Sequence, residues 1–76
     1  MAYEIYMPHI GWERIRLLKW LKQDGDQILR GDLVVMVGND DRTRNIEVFE
    51  TGTLKIHPAA PEPGMGLTGG VLLGYV

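Results

Sequence analysis

Hydrophobic and polar residues alternate along several short stretches of this chain. Period two runs through residues 3–7 and 45–49, while residues 33–37 and 71–76 are short apolar runs bounded by glycine. Both patterns are typical of β-strands. Ten glycines and four prolines interrupt the chain too often for helices of ordinary length. The pattern therefore predicts an all-β fold.

Residues 13–23 are compatible with two kinds of element. Ile15, Leu18 and Leu21 could form the apolar stripe of a helix. The length of the segment and its ending at Asp24-Gly25 also suit a strand that enters a turn. We favour the strand.

An internal repeat runs through the chain. Residues 25–37 can be laid on residues 64–76 without a gap, at an offset of 39, so that two glycines and several apolar positions coincide. The same offset places Ile15 on Leu54 and Leu17 on Ile56. Glycine-rich β chains also repeat by coincidence, but two similar units facing each other could bury a shared core that neither could bury alone. The repeat thus predicts two β units related by a quasi-twofold axis.

Two acidic residues follow glycines of the first unit. Asp26 and Asp32 stand where an aspartate side chain can accept backbone N–H groups and fix a turn. We interpret both as structural rather than catalytic.

The composition excludes several classes of protein. The chain has neither cysteine nor serine, so a thiolate metal site, a thiol nucleophile and a Ser-His-Asp triad are all ruled out. A formal charge of −2 lacks the basic excess that nucleic-acid binding usually needs. The longest apolar run is far shorter than the roughly 20 residues of a membrane-spanning helix. We expect one domain over residues 1–76, a cytoplasmic location, and no nucleic-acid or membrane partner.

Two other features suggest chemistry only weakly. Residues 64–69 match the pattern of a dinucleotide-binding glycine loop, but they follow a proline-rich stretch instead of a strand, and no helix follows them. His9 and His57 have no neighbouring cysteine or carboxylate cluster, so we expect no metal. Scattered acidic residues and histidines imply no shared active site, and we expect no enzymatic activity.

Five segments together resemble the lipoyl domain of 2-oxo acid dehydrogenase acyltransferases, in the order and near the spacing of that family. They are residues 7–11 (Met-Pro-His-Ile-Gly), 19–26 (Lys-Trp-Leu-Lys-Gln-Asp-Gly-Asp), 30–34 (Arg-Gly-Asp-Leu-Val), 52–56 (Gly-Thr-Leu-Lys-Ile) and 70–76. The resemblance implies a flattened β-barrel or sandwich of two four-stranded sheets with internal quasi-twofold symmetry.

In this family, a lysine in an Asp-Lys pair at a hairpin tip carries lipoate through an amide. The resemblance aligns Asp40 with the aspartate and Asp41 with that lysine. Asp41 cannot form the amide, and the guanidinium groups of Arg42 and Arg44 cannot replace the missing amine. We therefore expect no lipoyl or other cofactor at this turn.

Two departures from the family pattern lie near the same end of the implied fold. The stretch between Gly11 and Lys19 is two residues shorter, and residues 58–63 replace a polar segment with a proline-rich one. The shortened loop belongs to the region that, in lipoyl domains, contributes to recognition by the decarboxylase. The residues that we expect to bind a protein partner are Trp12, Glu13, Arg14, Asp41, Arg42 and Arg44. Trp12 has two interpretations, an exposed aromatic anchor for a partner or a cap on the end of the barrel.

The sequence thus supports the hypothesis of a non-lipoylated interaction or scaffolding module, associated with a 2-oxo acid dehydrogenase-type complex. The alternative is a swinging-arm carrier domain of a dihydrolipoamide acyltransferase, modified at Lys19, Lys22 or Lys55 instead of the usual position.

Overall fold

Eight β-strands make up the regular secondary structure of residues 3–76, the part of the chain that the computed structural model describes. In chain order they are β1 (Glu4–Tyr6), β2 (Arg16–Trp20), β3 (Gln27–Ile28), β4 (Leu33–Gly38), β5 (Thr43–Glu47), β6 (Gly52–Thr53), β7 (Lys55–Ile56) and β8 (Leu72–Tyr75). All strand pairs are antiparallel. This range contains no helix long and apolar enough to cross a membrane. The all-β prediction is confirmed, and residues 13–23 contain a strand instead of a helix.

The strands form two three-stranded sheets and one two-stranded sheet. Their orders are β1-β8-β7, β2-β4-β5 and β3-β6. Only Leu54 separates β6 from β7, so residues 52–56 pair first with β3 and then with β8. In the second large sheet, Arg16 of β2 forms an isolated bridge with Gly66. The assigned strands are thus grouped three, three and two, where the resemblance implied two groups of four.

Side chains of the strands and of the residues that flank them build one apolar core. None of the buried residues in the described range is polar or charged, and the radius of gyration of 11.6 Å is close to the ~11 Å expected for a folded chain of this length. The buried side chains are those of Ile5, Met7, Ile15, Leu17, Ile28, Val34, Val35, Val37, Val48, Leu54, Leu67 and Leu73.

The two large sheets have equivalent pairing. β8 lies between β1 and β7 in one sheet, and β4 lies between β5 and β2 in the other. Residues 72–75 of β8 correspond to residues 33–36 of β4 at the predicted offset of 39. The ladder between β1 and β8 skips Leu73, and the ladder between β5 and β4 skips the equivalent Val34. The pairing of β4 and β8 therefore matches at this offset, and each ladder skips the equivalent residue.

The upstream part of the predicted repeat is wrong by two residues. Gly25, the first glycine of the first unit, donates its N–H to the Leu54 carbonyl at 2.8 Å. Gly64, its equivalent in the second unit, donates its N–H to the Leu17 carbonyl at 2.7 Å. Leu17 therefore corresponds to Leu54, and the expected matches of Ile15 with Leu54 and of Leu17 with Ile56 do not form. The offset fails here because the proline-rich connection after β7 is longer than the link after β2, and because β2 contains a bulge.

The acidic residues of the first unit fix turns, as predicted. Asp26 accepts the backbone N–H of Gln23, and Asp32 accepts that of Leu29, both at 2.8 Å. Each carboxylate satisfies a donor that the strands leave free, which is the usual use of an aspartate in a turn. Both residues therefore belong to the scaffold.

The close packing around β8 predicts that Gly74→Ala destabilises the protein. A Cβ on Gly74 would lie 2.5 Å from the carbonyl oxygen of Lys55, in the buried middle of the β1-β8-β7 sheet. We expect a loss of about 1–3 kcal/mol in the free energy of unfolding, measured by urea denaturation.

The matched control for this substitution is Gly66→Ala. A Cβ on Gly66 would meet its nearest atom, the carbonyl oxygen of Ile15, at 3.9 Å. We expect this variant to unfold within ~0.5 kcal/mol of the wild type. Equal stability of the two variants would contradict the described packing of β7 against β8.

Candidate functional site

The hairpin between β4 and β5 forms the turn that the resemblance aligns with the lipoyl-lysine turn. β4 is an apolar, largely buried strand, whereas β5 is mostly exposed, so the turn between them lies at the edge of the core. Gly38 pairs with Thr43 at the base of the turn. A Cβ on Gly38 would collide with the carbonyl oxygen of Arg42, so only glycine lets the two strands approach so closely here. Asp40 and Asp41 consequently lie at the tip.

Asn39 organises the backbone of this tip. Its Oδ1 accepts the backbone N–H groups of Asp41 and Arg42, both at 2.9 Å, and its own N–H donates to the Arg42 carbonyl at 2.9 Å. Its Nδ2 donates to the carbonyl of Glu13, also at 2.9 Å. One side chain therefore fixes the turn and also ties it to the loop that precedes β2.

The loop before β2 supplies an aromatic ring and a strained residue. Arg42 places its guanidinium carbon 5.6 Å from the centroid of the Trp12 ring, within the range of a cation–π interaction. Trp12 is half-buried and packs against the core, so it combines features of both predicted roles, the cap and the exposed anchor. Arg14 has a φ of 55°, a left-handed conformation that is costly for a residue other than glycine. Tight geometry in the loop thus presents the Trp12 ring and the Arg14 side chain at the same end of the molecule.

An ion pair joins β2 to the tip. Arg16 donates from its guanidinium to Asp40 Oδ1 at 2.7 Å. The Asp40 side chain is 91% exposed, so this pair contributes only about 0–1 kcal/mol to stability. Its main effect is on geometry, because it holds the Asp40 carboxylate toward β2.

These residues form one contiguous surface, which we call the tip cluster. A polar depression of about 410 Å³ lies on it, lined by Glu13, Arg14, Arg16, Asn39, Asp40 and Asp41. The tip cluster consists of those six residues together with Trp12 and Arg42.

The structure separates one predicted residue from the others. Arg44 lies on β5 and lines a different groove, between β5 and β1. The other five predicted residues, which are Trp12, Glu13, Arg14, Asp41 and Arg42, all belong to the tip cluster. Whether they bind a partner stays a prediction.

Two members of the tip cluster, Asn39 and Arg16, were not predicted from the sequence. Asn39 is the first residue of the turn, and an asparagine before two aspartates is a recognisable turn signal. Arg16 has no such signal, because its pairing with Asp40 spans 24 residues and depends on the fold.

The three lysines named for the alternative hypothesis lie away from the tip. Lys19 is in β2, Lys55 is in β7, and Lys22 follows β2 with its Nζ 4.0 Å from Asp32 Oδ2. No residue of the tip cluster carries a primary amine.

The two histidines have separate environments. The ring of His9 lies against Gly69 and Gly70, and His57 Nδ1 accepts the N–H of Ala59 at 3.0 Å. Residues 3–76 contain no group of three histidine, cysteine or acidic residues placed to hold a metal ion. The role that the structure gives to each histidine is local packing or hydrogen bonding.

Comparison with known proteins indicates a relation to 2-oxo acid dehydrogenases. No family model matches the chain. The chain is similar to the pyruvate dehydrogenase E1 component subunit beta of Rhizobium meliloti (strain 1021), with 36% identity over 56 residues. The matched region covers 71% of this chain and 12% of that subunit. The chain therefore corresponds to a small part of the relative's length.

The geometry of the turn predicts that Asn39→Ala destabilises the protein. The variant would lose the acceptor for two backbone N–H groups and the donor to Glu13, and we expect a cost of about 1–2 kcal/mol in urea unfolding. Asn39→Asp keeps the acceptor for the two N–H groups, loses the donor to Glu13 and adds a negative charge beside Asp40 and Asp41. Its cost should still be smaller, because both backbone N–H groups stay bonded. Equal costs for the two variants would show that Asn39 does not fix the turn through Oδ1.

Proposed function

We propose that this chain is a lipoyl-like β domain that carries no lipoyl group at its hairpin and binds a protein partner through the tip cluster. The observation that carries the proposal is the β4–β5 turn. It holds an Asp-Asp pair at the tip, where lipoyl domains hold an Asp-Lys pair. The partner that we propose is a component of a 2-oxo acid dehydrogenase complex.

The strand pairing supports the lipoyl-like architecture. Residues 52–56 extend the β1-β8-β7 sheet toward β3, because they pair with β8 on one stretch and with β3 on the other. Residues 64–67 extend the second sheet in the same way, through backbone hydrogen bonds to Ile15 and Leu17 at 2.7–3.0 Å. Both sheets thus approach the four-stranded form that the family resemblance implies, with a quasi-twofold relation between them.

The chemistry of the tip supports a non-lipoylated role. An amide link to lipoate needs a primary amine, and the turn offers carboxylates and guanidinium groups instead. The lysines of the alternative carrier hypothesis lie on or beside strands β2 and β7.

The arrangement of the tip cluster supports a docking role. It combines a half-buried tryptophan, a stacked arginine and a turn fixed by Asn39. Tryptophan and arginine dominate the binding energy of many protein interfaces, and a fixed turn lowers the entropy lost on association. The similarity to a pyruvate dehydrogenase E1 subunit supports the choice of partner class.

Restoring the amine is expected to restore acceptor function. Asp41→Lys would recreate the Asp-Lys pair of the family on an otherwise unchanged turn. We expect a purified lipoyl ligase to modify this variant and to leave the wild type unmodified, as measured by intact mass. Asp26→Lys, which makes the same charge change at a turn of the first unit, should remain unmodified if it folds.

Three results would contradict this part of the proposal. A ligase that ignores Asp41→Lys would argue against a lipoyl-like hairpin. Modification of the wild type, mapped to Lys19, Lys22 or Lys55, would favour the carrier alternative. Equal modification of both variants would show that the ligase does not recognise the turn.

Binding to the E1 component of a pyruvate dehydrogenase complex should depend on the tip cluster. Arg42→Ala removes the cation stacked on Trp12, and Trp12→Ala removes the aromatic ring. We expect each substitution to weaken binding at least tenfold in calorimetric titration, the size typical of a residue central to an interface.

Control variants separate docking from folding in this experiment. Arg30 and Leu29 are exposed residues outside the tip cluster, so Arg30→Ala and Leu29→Ala should bind as the wild type does. Trp12 packs against the core, so thermal melts must accompany the Trp12→Ala measurement, whereas Arg42 is exposed and tests the surface without that complication. Unchanged binding by a folded Arg42→Ala variant would refute the assigned surface.

A further inference from the structure

A second surface lies where the edges of the two large sheets face each other. β1 and β5 each have a neighbouring strand on one side only. A groove of about 280 Å³ runs between them, lined on the β1 side by Tyr3, Glu4, Ile5, Tyr6 and Pro8 and on the β5 side by Arg44, Asn45, Ile46, Glu47 and Phe49. This volume is at the lower limit for small-molecule sites, so an extended chain fits the open shape better than a compact ligand.

Both edges offer unused backbone groups to such a chain. Hydrogen-bonded and non-hydrogen-bonded pairs alternate in an antiparallel ladder. Tyr3 and Met7 donate their backbone N–H groups to carbonyls on the side of β8, at 2.8 and 2.9 Å. Glu4 and Tyr6 lie between them, so their backbone N–H and C=O groups point outward. The same alternation directs the backbone of Asn45 and Glu47 outward from β5. β5 has five residues and β1 has three, so β5 offers the longer free edge to an added strand.

The side chains of the groove form an apolar floor and an acidic rim. Ile5 is buried and Ile46 is half-buried against the core, and both lie on the inner side of their strands. Glu4 and Glu47 are exposed on the outer side. The Tyr6 hydroxyl donates to Glu4 Oε2 at 2.7 Å, a hydrogen bond that fixes this carboxylate on the rim and raises the pKa of Tyr6.

Two bulky apolar side chains lie close to this rim. Tyr6 is 47% exposed and Phe49 is 54% exposed. Their rings can pack on the side chains of a bound strand and can attract cations. Arg44 is the cation of the groove, against the two carboxylates of Glu4 and Glu47, so the net charge of the lining is negative.

We propose that the β1/β5 groove binds an extended partner strand, added to the edge of β5, in which apolar residues alternate with basic residues. Side chains of an added strand alternate with period two. The apolar side chains of the added strand would therefore contact the apolar floor, while its basic side chains would contact the acidic rim. The proposal is independent of the proposed function, since it uses neither the tip cluster nor the relation to lipoyl domains.

The test uses the whole chain and defined peptides. The probe is acetyl-Lys-Val-Lys-Val-Lys-Val-amide, and the comparison peptides are the Glu-Val analogue and acetyl-Lys-Lys-Lys-Val-Val-Val-amide, which has the same composition without the alternation. We expect the probe to bind at least tenfold more tightly than either. Binding should also slow amide hydrogen exchange at Asn45 and Glu47.

A pair of charge-reversal variants locates the site. Glu47→Lys should weaken binding of the probe at least tenfold, whereas Glu62→Lys, the same change on the exposed connection after β7, should leave it unchanged. Equal affinity for the alternating and block peptides, or equal effects of the two variants, would overturn the proposal. A wild-type dimer that Glu47→Lys dissociates would also overturn it, because a second copy of the chain would then be the occupant.

Discussion

The fold depends on one core that two short β units must share. Each unit supplies only a few buried aliphatic side chains, and a domain of this size hides roughly 60% of its unfolded surface at best. Pairing the units lets Leu17 and Leu54 occupy equivalent, nearly inaccessible positions. The equivalent bulges in the two sheets follow from this requirement, because each strand must aim its apolar residues at the same interior.

The candidate site lies at the end of the equivalent strand pairs. Val37 pairs with Arg44 beside the turn, and the corresponding pair in the other sheet is Val76 with Tyr3. The turn at residues 39–42 lies directly beyond the first of these pairs. Asp40, Asp41 and Arg42 are exposed there, so substitutions at these three positions alter surface chemistry without disturbing the core.

The fold was more predictable from the sequence than the site. Alternation and glycine spacing predicted the strands, since both express requirements of the backbone, and the aspartates after glycine predicted two turns. The offset of 39 failed upstream because a longer connection after β7 cannot be recognised before the strands are paired. The contact of Arg16 with Asp40 and the stacking of Arg42 on Trp12 depend on segments that only the folded chain brings together. Arg44 was grouped with the turn because it is near in sequence, although strand alternation places it on the β1/β5 groove.

We have proposed that this scaffold keeps a lipoyl-like hairpin without the acceptor lysine. The intact mass of the wild-type protein, purified from its native source or from a host with active lipoyl and biotin ligases, tests this proposal. We expect the mass of the unmodified chain. A mass increased by one lipoyl or biotinyl group would contradict it and would make the domain a carrier.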